Sequence, residues 1–155
     1  MSNNKALKRV QDFIDKYPDL KVILFDNSTH TAEMAAQTLG VEVGQIAKTL
    51  LFTAEFNSFL VVTCGDKKVN TKKLAHIVQA KKVKFASSEV VFELTGFLPG
   101  GVSPVGLEKS IPIFLDRSLF NYQVVFAAAG TSNSALPIAP ARLQQITDAV
   151  VIDVC

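Results

Sequence analysis

Four glycines and two prolines fall within eleven positions in the segment Gly96-Phe97-Leu98-Pro99-Gly100-Gly101-Val102-Ser103-Pro104-Val105-Gly106. Glycine lets a backbone approach a ligand closely and adopt positive φ, while proline limits the freedom of the chain around it. Backbone N–H groups in such a loop can be held ready for an anion or a developing oxyanion. The competing reading is an ordinary tight connection between a helix and a strand. Neither standard phosphate motif fits, because no G-x-x-x-x-G-K-[ST] run is present and the loop does not lie between a strand and a helix as a dinucleotide fingerprint does. Nucleotide hydrolysis loses ground accordingly.

Lys48 is the second candidate, because it opens the apolar run Lys48-Thr49-Leu50-Leu51-Phe52, where a charge must either reach solvent or serve a pocket. His30 lies in the polar loop Asn27-Ser28-Thr29-His30-Thr31, and Gly130-Thr131-Ser132-Asn133-Ser134 forms a second polar loop after the apolar run QVVFAAA. Each of these loops reads either as a wall facing a substrate or as a solvated turn. His30 and His76 are isolated from each other and from acidic partners, so neither a metal site nor a serine triad is signalled. Cys64 and Cys155 do not have the spacing of a disulfide framework or a zinc site. No metal and no cofactor is expected.

These candidates need elements to position them. Leu7, Val10, Phe13, Ile14 and Tyr17 recur at helical spacing, which predicts an amphipathic helix over about 4–17 that stops before Pro18. KVILF at 21–25 reads as a strand, and TAEMAAQTLG as a helix closed by Gly40. The runs 48–54 and 59–64, separated by Glu55-Phe56-Asn57-Ser58, predict a hairpin. Asn70 or Thr71 caps one helix and Ser87 another that ends at Gly96, with the strand VKF between them. IPIFLD, QVVFAAA and ALPIA read as strands, Pro140 opens a last helix, and 149–153 reads as a final strand. Helices interspersed with hairpin strands favour an α+β fold with a mixed or antiparallel sheet over a doubly wound parallel one. At 155 residues the chain is expected to form one domain over 1–155.

The net charge of +2 is unremarkable as a sum, yet its distribution is uneven. Lys67, Lys68, Lys72, Lys73, Lys81, Lys82 and Lys84 lie in a stretch without an acid. A field of that sign attracts phosphates and steers an anionic polymer, although a solvated surface face accounts for it equally well. No apolar run approaches membrane-spanning length and no export signal is visible, so a cytoplasmic location without a membrane partner is expected.

At this point the order of THTAEMAAQTLG, QIAKTLLF, GDKKVNTKKLA, LTGFLPGGVSPVG and the strand ending AAAG resembles the YbaK/ProX family of trans-acting aminoacyl-tRNA editing proteins, itself similar to the editing domain inserted in bacterial prolyl-tRNA synthetases. The likeness runs from about residue 20 to the C terminus. It implies a compact α+β fold around a curved, partly barrel-like mixed sheet, with a pocket for the aminoacylated terminal adenosine of a tRNA. Lys48 would match the family's functional lysine, and Gly101 the loop glycine whose N–H faces the scissile carbonyl. Val102, Ser103 and Pro104 would continue that wall. His30, Gly130, Thr131 and Asn133 are the further candidate substrate contacts, and Lys67, Lys68, Lys72 and Lys73 the candidate RNA contacts.

The implied reaction is hydrolysis of the ester of a mischarged tRNA, with tRNA-Pro carrying a small wrong amino acid the first substrate to test. The implied partners are the tRNA acceptor end and an aminoacyl-tRNA synthetase; DNA is not expected. Where members acting on cysteinyl-tRNA call for a polar residue before the glycine pair and an acid beyond it, this chain has Ala128, Ala129-Gly130 and Ala135. A noncatalytic tRNA-binding module and a small-molecule esterase using the same loop stay open as alternatives.

Overall fold

The computed structural model describes residues 2–155 and contains five helices and a mixed sheet of eight strands among them. Helix α1 (Ser2–Ile14) buries Ala6, Val10 and Ile14, one face at four-residue spacing. It ends earlier than the apolar pattern suggests: the Tyr17 N–H bonds back to the Ile14 carbonyl in a closing turn, and the Tyr17 ring packs beside the core from outside the helix. Strand β1 (Ile23–Leu24) is also shorter than its apolar run, since further pairing toward Lys21 would set that residue opposite Pro137, which has no N–H to donate.

Helix α2 (Ala32–Leu39) starts at Thr31, whose hydroxyl accepts from the Met34 N–H. Strands β2 (Ile46–Thr53) and β3 (Ser58–Cys64) form the expected antiparallel hairpin, with Lys48 opposite Thr63 and Phe52 opposite Phe59. Asn70 caps α3 (Thr71–Ile77) by accepting from the Lys72 and Lys73 N–H groups. After β4 (Lys84–Phe85), the Ser87 hydroxyl caps α4 (Ser88–Thr95). Strands β5 (Ile113–Asp116), β6 (Val125–Ala127) and β7 (Ser134–Ile138), helix α5 (Pro140–Thr147) and strand β8 (Val150–Ile152) complete the fold. Two 3₁₀ turns, Val43–Gln45 and Arg117–Asn121, have no counterpart in the apolar pattern.

The sheet runs β1-β7-β6-β2-β3-β5-β8, with β4 added beside the far end of β2. Parallel pairing joins β6 to β2, β3 to β5 and β5 to β8, and the remaining pairs are antiparallel. One edge of β2 is therefore shared: β6 takes residues 46–47 and β4 takes 52–53. Between them the edge is open. Alternation along β3 feeds two cores, Val62 and Cys64 packing under α1 while Phe59 and Val61 pack against α3 with Phe52 and Leu74.

Asp116, at the end of β5, is 1% exposed. Its carboxylate accepts from the Ser118 N–H and hydroxyl and from the Val154 N–H, tying the segment after β8 to β5. Burial pushes this carboxyl up, but the hydrogen bonds from Ser118 and Val154 outweigh it and hold the group below the ordinary carboxylate value. A depressed folded value means stabilisation that is complete above the unfolded value of about 3.9 and is lost as pH falls through the folded one. Asp116→Ala is expected to cost about 1–3 kcal/mol in urea unfolding at neutral pH, because buried N–H groups lose their acceptor. The gap to wild type should narrow progressively below about pH 4; a gap independent of pH would contradict the assignment.

Candidate active site

The open edge of β2 forms one wall of a cleft of about 270 Å³. Lys48, Thr49 and Leu50 border it from β2, Thr29 and His30 from the loop before α2, and Gly100 and Val102 from the glycine-rich loop. Ala47, Ala127, Ala128 and Ala135 line the same cleft, and Phe25, Leu39, Ile46 and Phe126 complete its apolar walls. Residues distant in the chain thus meet because β2 and β6 lie side by side while α2 closes over them.

Of the residues singled out in the sequence, His30, Lys48 and Val102 border the cleft. Lys48 forms no ion pair among the described residues. Gly101 sits just behind the cleft, not in its lining, and its N–H donates to the Leu98 carbonyl at 3.0 Å within the loop's own turn. That bond uses the donor which the resemblance assigns to the scissile carbonyl. The loop residues on the cleft itself are Gly100 and Val102, whose N–H groups make no hydrogen bond among the described residues.

What Gly101 does provide is close approach. A Cβ there would lie 2.9 Å from the Thr131 Cα and 3.0 Å from the Gly130 carbonyl atoms, so the two loops touch backbone to backbone. Gly130 has φ +102°, and a Cβ on it would meet the backbone of Ala6 in α1 at 2.9 Å. Ser103 and Pro104 are buried away from the cleft; the Ser103 hydroxyl accepts from the Val105 N–H at 3.1 Å and stiffens the loop. Thr131 and Asn133 also stand outside the lining. The Thr131 hydroxyl donates to Asn133 Oδ1 within the loop, and Asn133 Nδ2 donates to the Phe25 carbonyl at 3.2 Å, which ties the loop to the segment after β1.

Arg9 locks the glycine-rich loop from the opposite side. Its Nε donates to the Gly106 carbonyl at 3.1 Å and its Nη2 to the Gly96 carbonyl at 2.7 Å, so one guanidinium pins both ends of the loop. The same group lies 5.0 Å from the centroid of the buried Phe97 ring and 3.4 Å from Glu108. A planar fork can satisfy two carbonyls and a ring face together, as a lysine cannot. A helical pattern alone gives no sign of this, because Arg9 reads as a polar-face residue of α1.

Thr49 is the other residue that spacing does not reveal. It faces the side of β2 opposite Lys48, and its buried hydroxyl has no partner among the described residues although it borders the cleft. The signal available in sequence is a hydroxyl between Lys48 and Leu50 inside an otherwise apolar strand. Thr29 contrasts with it, its hydroxyl and N–H both donating to the Ser132 carbonyl.

Of the candidate RNA contacts, Lys73 pairs with Asp153 at 3.6 Å, and Lys67 borders a separate polar cleft with Asp116, Arg117 and Asp153. Lys68 and Lys72 are exposed and unpaired among the described residues. Among those residues no helix is long and apolar enough to cross a membrane.

A model of the aminoacyl-tRNA editing domain matches residues 26–146, which take in every residue lining the cleft except Phe25. The chain belongs to this family. A solved structure described as a candidate trans-editing enzyme for prolyl-tRNA synthetase superposes with a TM-score of 0.91 at 38% identity, covering 96% of each chain. YwhH of Bacillus subtilis is 40% identical over 133 residues, 84% of either chain. The proline–tRNA ligase of Bacillus licheniformis is 39% identical over 107 residues, which are 69% of this chain but only 18% of the ligase. The α+β class and the editing-protein resemblance read from the sequence agree with these matches.

Two outcomes check the loop's construction. Gly101→Ala should push the two loops apart and cost about 1–3 kcal/mol in thermal or urea unfolding, as overpacking does. Arg9→Lys should lower stability less than Arg9→Ala, yet leave amide hydrogen exchange across 97–105 faster than in wild type, because one ammonium cannot hold both carbonyls. Unchanged exchange in both Arg9 variants would remove the clamp from the account.

Proposed function

We propose that the chain is a trans-acting aminoacyl-tRNA deacylase that hydrolyses the ester of tRNA-Pro carrying a small, wrongly attached amino acid. The observation that carries this reading is that Lys48 and two residues of the glycine-rich loop, Gly100 and Val102, border one cleft in a member of the editing-domain family. Its similarity to the candidate trans-editing enzyme and to a segment of a proline–tRNA ligase supports proline tRNA as the acceptor.

The chemistry asks little of the protein. A water, or the ribose hydroxyl beside the ester, attacks the carbonyl carbon; the bond to the ribose oxygen breaks and that oxygen takes up a proton. When water attacks, free amino acid and tRNA with an intact terminal ribose are the products. When the ribose hydroxyl attacks, the acyl group moves to it and water completes the release. The developing negative charge on the carbonyl oxygen is met by the Gly100 and Val102 N–H groups, a preorganised donor being worth on the order of 3 kcal/mol. The Lys48 ammonium holds the substrate by its terminal phosphate or near its ester. Ala47, Ala127, Ala128 and Ala135 leave room for a small side chain without a charged or thiol-directed contact. The Thr49 hydroxyl, which costs about 1–3 kcal/mol while unpartnered, gains a partner when a polar group of the aminoacyl moiety enters.

The test is release of amino acid from proline, alanine and threonine tRNAs mischarged with alanine, serine, threonine or cysteine. Alanine released from Ala-tRNA(Pro) is the expected result, with Lys48→Ala slower by about 100-fold or more at unchanged thermal stability. Wild-type turnover by a folded Lys48→Ala protein would overturn the site, and tRNA binding without any release would leave a noncatalytic module.

A further inference from the structure

We propose that Phe85 is a stacking platform for an unpaired base of the RNA strand that leads into the cleft. The inference rests on the deacylase reading for which strand that is, and on separate observations for the platform itself. Phe85 is 58% exposed, whereas the Phe52 ring beneath it is fully buried, their centroids 4.6 Å apart. One face of an aromatic ring is thus fixed by packing and the other is presented to solvent. The platform is anchored by its backbone as well: Phe85 stands in register with Phe52, and the Ala86 N–H bonds to the Leu51 carbonyl at 3.0 Å.

Its position connects it to the cleft. Side chains alternate along β2, so Lys48, Leu50 and Phe52 share one face of the sheet. Leu50 both borders the cleft and packs against the core cluster that contains Phe52. Lys48 and Phe52 are four residues apart, roughly 13 Å along a strand. A strand whose last nucleotide enters the cleft beside Lys48 therefore passes over Phe85 with a base just upstream.

The charge around the ring suits that occupant. Lys84, its neighbour in β4, and Lys82, three positions before it, are exposed, and the first acid in the chain after Asp66 is Glu89. An aliphatic side chain would cover Phe52 equally well; an aromatic face among lysines is the combination that binds single-stranded nucleic acid without reading its sequence. Phe56 is more exposed, but it sits at the β2–β3 turn, where an acid, Glu55, borders the same hollow as Lys81.

The experiment compares wild type, Phe85→Leu and Phe85→Trp on Ala-tRNA(Pro) and on alanyl-adenosine, which carries the ester without the upstream strand. Phe85→Leu keeps an apolar cover over Phe52, so thermal unfolding checks that the fold survives. KM for the tRNA is expected to rise roughly tenfold in Phe85→Leu, with kcat and alanyl-adenosine hydrolysis unchanged, and to return in Phe85→Trp. In parallel, 2-aminopurine placed at each unpaired position of the uncharged tRNA end should be quenched at one position by wild type and Phe85→Trp, and not by Phe85→Leu. Wild-type tRNA KM and quenching in Phe85→Leu, or an equal loss on both esters, would overturn the platform. If wild type hydrolyses neither ester, the deacylase reading fails, and the 2-aminopurine titration alone decides the platform.

Discussion

Backbone-to-backbone contact between the glycine-rich loop and the loop that follows β6 is the constraint on which the site depends. At Gly101 the two loops meet with no room for a Cβ, and at Gly130 the second loop meets α1 in the same way. The stack of α1, loop and loop fixes where Gly100 and Val102 stand relative to Lys48 on β2. Arg9 adds directional bonds to a contact that is otherwise steric, taking one carbonyl from each end of the glycine-rich segment. An unconstrained loop of this composition would have to pay ordering entropy each time it met a substrate.

The sheet supplies the complementary wall by an irregularity in its pairing. A fully paired strand has no exposed edge, but β2 exchanges β6 for β4 partway along, and the cleft opens where neither neighbour reaches. Lys48 and Thr49 fall in this interval on opposite faces of one strand. Cationic and hydroxyl groups are thereby offered from a rigid element, beside alanines of β2, β6 and β7.

Much of this was legible in the sequence, for identifiable reasons. Caps at Asn70 and Ser87, and the hairpin between 48 and 64, are local signals that the tertiary structure did not need to override. Lys48 stood out because a charge in an apolar strand demands an account, and the glycine-rich loop because its composition does. What could not be read depends on contacts across the chain. The role of Gly101 turns on Thr131, thirty positions away, and its N–H is consumed by Leu98, a turn geometry that glycine and proline content does not specify. Arg9 and Phe85 look like ordinary surface residues until the loop carbonyls and Phe52 are placed beside them. Ser103, Thr131 and Asn133 hydrogen-bond within their own loops or to the Phe25 carbonyl, contacts that residue type and spacing do not specify.

The clamp also bears on how the unit can be cut and moved. The family match spans 26–146, whereas α1 with Arg9, strand β1 and strand β8 all lie outside it. A fragment trimmed to those bounds would keep every residue that lines the cleft except Phe25, yet lose the guanidinium that pins the loop and the backbone donor that satisfies Asp116. Excision or grafting of this module into another chain therefore has to respect mechanical support, with boundaries drawn before α1 and after Val154, and not only the stretch that carries recognisable motifs.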